Sequence, residues 1–153
     1  MPLKRDKNDL VFSQLIRERA NWCCERCGRD FSERRESLHC SHLNGRRHAS
    51  TRWHPFNAFA HCLGCHRVLG SEPYQFTAFA IIEFGLKTVE LVGARAMKPV
   101  RLKQWEKDRL HVHLKGELVR LRQLRKDGEQ GLIEFTAPDW YQDGITRHMG
   151  LTC

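Results

Sequence analysis

The sequence contains no apolar run approaching the roughly 20 residues of a membrane span; its best stretch, TAFAIIEFG, is short and interrupted. The opening MPLKRDKNDL holds no apolar leader, which predicts a chain that stays in the reducing cytoplasm. Disulfides are therefore not the expected use of its seven cysteines, and the odd count would leave a thiol over in any case. Acidic residues are scarce: 18 Asp and Glu stand against 26 Lys and Arg, giving a formal charge of +8 and an isoelectric point near 9.4. That imbalance points to a polyanionic partner, with nucleic acid as the leading candidate, and no membrane partner is expected. No internal repeat divides the 153 residues, and a mean hydropathy of -0.58 predicts one small domain with a modest core.

Against these absences stands one dense stretch, CERCGRDFSERRESLHCSHLNGRRHASTRWHPFNAFAHCLGCHRVLG. Two Cys-x-x-Cys pairs, Cys24/Cys27 and Cys62/Cys65, bracket it. Each such turn lets two thiolates reach one ion from a tight loop, and two turns complete the four-sulfur shell that a structural zinc prefers. Such an ion contributes on the order of 10 kcal/mol to folding, comparable with the net stability of a whole domain. Cys23 offers an alternative Cys-x-x-x-Cys reading, but the shorter spacing recurs in the second pair. Cys23, Cys40 and Cys153 are left free.

Around that stretch the chain reads as helices. Leu10, Val11, Leu15 and Ile16 fall near helical spacing in a lead-in helix over 9–22, with Arg17, Glu18 and Arg19 on its other side. LHCSHL is a strand, Asn44-Gly45 a turn, and NGRRHASTRWHP a polar, basic loop before the return. The second cysteine turn opens a short helix ending at Gly70. SEPYQFTAFAIIEFG is a helix capped by Ser71 and stopped by Gly85, with Tyr74, Phe76, Phe79, Ile82 and Phe84 as core. LKTVELVGARA follows, and then a long helix after Pro99 with Leu110, Leu114, Leu118 and Leu121 as a stripe. From Arg101 to Lys126 basic residues outnumber acidic ones, which suits either a DNA arm or a solvated face. Trp53 is expected in hairpin packing, and His111 and His113 as ordinary packing residues.

Between the two cysteine pairs, His42, Asn57 and His66 stand in the order, and at about the distances, of the HNH nucleases, and the chain resembles that superfamily. The run HCSHLNGRRHASTRWHPFNAFAHCLGCHRVLGSEPYQF resembles most closely the NinG/Rap group of phage recombination endonucleases, specifically over 24–76 and loosely over 20–126. The resemblance implies an α+β fold: a small zinc-stapled treble-clef, ββα-metal core with added helices. It divides the chain into a nuclease domain over 1–127, comprising lead-in helix 9–22, zinc core 23–70 and helical additions 71–127, and a C-terminal tail over 128–153 of unknown role. It implies metal-dependent hydrolysis of phosphodiester bonds in branched DNA such as Holliday junctions and D-loops, with 5′-phosphate and 3′-hydroxyl products. His42 matches the general base, Asn57 the middle position that braces the loop, and His66 the last ligand of a catalytic divalent ion.

One departure bears on the metal. Many HNH nucleases place an acidic ligand immediately before the base, where this chain has Ser41; His39 falls where the NinG-like pattern often has Asp, and is the candidate second ligand. Imidazole in place of carboxylate shifts preference from Mg2+ toward Mn2+, Co2+ or Ni2+. Arg46, Arg47, Arg52 and Arg67 beside the site, and Arg120, Arg122 and Arg125 on the long helix, are expected to contact phosphates. Two rival functions stay open: a zinc-stabilised DNA-binding module with an inactive site, and a homing or restriction-type HNH nuclease acting on linear duplex. The oligomeric state, a homodimer included, is also open.

Overall fold

A computed structural model describes residues 2–148. Its elements run α1 (Lys7–Arg19), β1 (Leu38–His42), β2 (Ala58–Cys62), α2 (Leu63–Ser71), α3 (Pro73–Phe84), α4 (Leu86–Ala96), α5 (Gln104–Lys126) and a short α6 (Asp139–Gln142). The class is α+β. Among the described residues, no helix is long and apolar enough to cross a membrane.

β1 and β2 pair antiparallel, His39 opposite His61 and His42 opposite Ala58. A lone two-stranded hairpin is marginal in water, and here each face meets its own core. Side chains alternate along a strand, so Leu38, Ala58 and Ala60 join Phe12, Ile16 and the α5 leucines, while Phe59 joins Phe76, Ala80 and Phe84 of α3. The 15 residues between the strands are wound in successive turns. Asn57 is fully buried beneath them: its Oδ1 accepts from the Asn44 N–H, and its Nδ2 donates to Asn44 O and Thr51 O, each at 2.9 Å.

α1 starts earlier than its apolar pattern suggests, because the cap lies upstream. Asp6 accepts from the Asn8 N–H and Asp9 returns the bond to the Asp6 N–H, a reciprocal capping box. It also stops earlier, at Arg19, since Asn21 and Trp22 take left-handed backbone (φ 51° and 60°) to turn into the first cysteine loop. Its faces differ from the expectation too. Leu10 is exposed, whereas Glu18 and Arg19 are buried. Arg19 is drawn inward by carbonyls that no strand partner satisfies, donating to Pro55 O and Ala58 O at 2.7 Å each.

Two further expectations are corrected in α3. Ser71 does not cap it: α2 runs through Ser71, whose hydroxyl donates to Val68 O, and α3 begins after Glu72. Tyr74 and Ile82, expected in the core, are 92% and 80% exposed. The helix buries Phe76, Ala80 and Phe84 at four-residue spacing, which turns 74 and 82 outward. Gly85 stops it at φ 90°, where a Cβ would come within 1.7 Å of His148 O.

α5 buries Leu110, Leu114, Leu118 and Leu121 along α1. Beyond it, the segment set apart by sequence as a tail returns over α1, Ile133 donating to Arg19 O at 3.1 Å. Phe135, Ala137 and Tyr141 enter one core and Ile145 the other. Over its described part, residues 128–148, the tail is therefore continuous with the domain. Cys153 lies outside the described residues.

Candidate functional site

The two cysteine pairs arrive from different directions. Cys24 and Cys27 sit in a loop closed by Gly28 N–H donating to Cys24 O, with Gly28 at φ 74°. Cys62 ends β2, and Cys65 lies in the first turn of α2. Glu25 docks the loop on the hairpin: its N–H donates to Ala60 O at 2.8 Å, and its carboxylate accepts the Ala60 N–H at 2.7 Å.

The four thiols lie within 4.8 Å of one another, with the Cys27 and Cys62 sulfurs 4.0 Å apart. Tetrahedral Zn–S bonds of about 2.3 Å place sulfurs about 3.8 Å apart, so the group fits an ion such as zinc. The set contains Cys24 and not Cys23, whose sulfur instead turns to Asn21 O. A backbone hydrogen bond from Arg29 brings the Cys27 thiol down to about 7. Burial raises Cys24 and drives Cys65 to about 12. Loading a cation would therefore displace protons from the buried pair.

On the side of the hairpin toward α1 lies a cavity of about 580 Å³, lined by His39, His42 and His66 with Asp9 in its wall and Arg5 and Arg46 around it. His42 Nε2 is 2.9 Å from Arg52 O. A carbonyl only accepts, so Nε2 carries the proton and Nδ1 keeps a free lone pair. Burial, with Arg46's positive charge adding to it, lowers His42 to about 4 against the pull of the Arg52 carbonyl. The ring is thus neutral at physiological pH. His39 and His66 approach with ring centroids 5.7 Å apart, and His66 Nδ1 is buried without a hydrogen-bond partner among the described residues. Burial, then the neighbouring His39, lowers the His66 pKa. Ser41 is buried on the same face of β1 as His39.

The arginines divide. Arg46, Arg47 and Arg67 are exposed. Arg52, expected at phosphates, is buried against Asp9, with Nε and Nη2 donating to its two oxygens at 2.9 and 2.5 Å. On α5, Arg120 pairs with Glu117 and donates to Glu134 O, and Arg122 reaches Glu18. Arg125 donates to the carbonyls of Glu18, Arg19, Glu129 and Gly131. Arg125 is thus engaged by the fold itself, while Arg120 and Arg122 stay exposed beside their acidic partners; the returning segment and α1 supply acceptors that a helix viewed alone does not reveal.

Sequence reasoning passed over Asp9, Glu25 and Arg5. Only Asp9 carried a local signal, as the third residue after a capping Asp. No family model matches the chain, and neither a curated protein nor a solved structure matches it.

Proposed function

We propose that the chain is a metal-dependent DNA endonuclease of the HNH type, built on a treble-clef, ββα-metal core that a structural zinc on Cys24, Cys27, Cys62 and Cys65 holds together. The observation that carries this reading is His42: a neutral imidazole, tied through Nε2 and free at Nδ1, in the same basic-rimmed cavity as His39 and His66. Nδ1 accepts a proton from the attacking water, a role that typically supplies about 10² to 10⁴ in rate. Arg5 and Arg46 draw the phosphodiester into the cavity, and His39 and His66 offer nitrogens to a divalent ion. When bound, that ion neutralises charge on the phosphate and leaving oxygen. Asn57 holds the loop that carries the Arg52 carbonyl. Branched DNA as substrate, and a part in phage recombination in the host cytoplasm, follow from the likeness of the 24–76 run to NinG/Rap nucleases.

A second reading, a zinc-stabilised DNA-binding module that does not cut, is favoured by Ser41 in place of an acidic ligand. The two are separated by incubating the protein with a four-way junction, a flap, single strand and duplex, each with Mg2+, Mn2+, Co2+ or Ni2+. Cleavage of the junction supports the nuclease reading; binding without cleavage in every ion supports the module.

A further inference from the structure

We propose that Asp9, in the first turn of α1, is a positioning residue for His42, acting through the Arg52–Trp53 backbone. Its catalytic consequence rests on the nuclease reading above; the coupling itself does not. Asp9 receives four hydrogen bonds from three residues, Asp6, Arg52 and Trp53. Oδ1 accepts from Arg52 Nε at 2.9 Å and Trp53 Nε1 at 2.8 Å, and Oδ2 from Arg52 Nη2 at 2.5 Å and the Asp6 N–H at 2.8 Å. Arg52 Nη2 also donates to Lys4 O at 3.1 Å. A carboxylate saturated in this way, 9% exposed in the cavity wall, has no capacity left for an ion or a substrate group.

What it holds is the peptide beside the base. The side chains of Arg52 and Trp53 are both fastened to Asp9, and the Trp53 N–H donates to the Tyr141 hydroxyl at 3.1 Å, which itself donates to Ala49 O at 2.7 Å. The Arg52 carbonyl is left pointing at His42 Nε2, 2.9 Å away. Asn57, through Thr51 O, and Arg95, through Ser50 O, hold the loop just ahead of Arg52, and Asp9 is what fastens the Arg52 and Trp53 side chains themselves. A residue 33 positions upstream of the base thus fixes which imidazole nitrogen keeps its lone pair. Charge matters as well as shape, because Asn at position 9 offers one acceptor oxygen where the guanidinium fork uses two.

The test compares full-length wild type with Asp9→Asn and, as a control, Asp6→Ala. The control removes the other half of the capping box without touching Arg52 or Trp53. In ¹⁵N-labelled protein the His42 Nε2–H should exchange slowly, because the Arg52 carbonyl protects it. Asp9→Asn should lose that protected resonance and lower kcat about 10- to 100-fold with KM for DNA little changed, as expected for a misplaced base. Asp6→Ala should keep the resonance. Should Asp9→Asn fail to fold, Trp53→Phe, which removes one Asp9 donor while keeping an aromatic ring, should speed the same exchange. A resonance equally protected in Asp9→Asn, or lost equally in Asp6→Ala, overturns the proposal. Loss confined to Asp9→Asn, in a protein whose wild type cuts no DNA, sustains the coupling and rejects the nuclease reading instead.

Discussion

Replacing Arg125 by Gln should destabilise the fold and leave DNA binding nearly untouched, although Arg125 sits on the most basic helix. Its Nη2 donates to Glu18 O, Arg19 O and Gly131 O at 2.8, 3.1 and 2.6 Å, and Nη1 to Glu129 O at 3.0 Å. These contacts close the last turn of α1 and staple the returning segment to α5. A hydrogen bond from a charged donor is worth about 1.5–3 kcal/mol net. One nitrogen shared among three carbonyls at a half-buried site cannot deliver three such increments, so we assign about 2 kcal/mol to the group. For a chain of this size that corresponds to a fall of about 4–8 °C in Tm. Urea and thermal denaturation give the stability, and a salt series of DNA binding gives the slope. Were Arg125 a phosphate contact, the variant would keep its Tm and its log K against log[salt] slope would flatten by about 0.9. That outcome would refute the assignment of these contacts.

Purified protein should contain about one tightly held zinc per chain; strong chelation, or Cys62→Ser, should cost folded structure as well as function, and a fully folded metal-free preparation would contradict this. Arg5→Ala with Arg46→Ala should reduce the salt slope of DNA binding by about 2 units, whereas an unchanged slope would move the phosphate track away from the cavity. Acid should weaken the fold through His54, which burial lowers to about 4 while its ring nitrogens engage Phe56 N–H and Gln142 O. The unfolded state takes up a proton near pH 6.5 that the folded state refuses until about 4, so stability is intact above that window and falls through it. By pH 5 the loss from this one group is about 2 kcal/mol. His54→Gln should flatten the urea midpoint's dependence on pH between 7.5 and 5; an identical dependence in both proteins would show that other groups carry it.

The parts of this molecule that could be read in the sequence are those whose signal is local. Cysteine spacing encodes the metal turn within four residues, and the leucine stripe of α5 encodes its buried face. The α3 sequence is apolar nearly all round, so periodicity could not choose between the side carrying Phe76 and Phe84 and the side carrying Tyr74 and Ile82. Charged residues were harder still. Arg19 and Arg52 are buried because acceptors arrive from 36 to 43 residues away, and Arg125 of α5 is half-buried because the chain doubles back over it. Phe135 and Tyr141 entered the core as isolated aromatics without a period to announce them. At the cavity, His39, His42 and His66 are all among the lining residues, but Asp9 reaches across 43 residues and only the assembled loop displays it.

The most direct test of the central claim is single-turnover cleavage of a four-way junction by wild type and His42→Ala, at saturating protein and with each divalent ion in turn. The account predicts that wild type cuts, that His42→Ala binds the junction with nearly the same affinity and retains its zinc, and that its rate falls by roughly 10² or more. A variant that cuts as fast as wild type would contradict the assignment of His42 as the base.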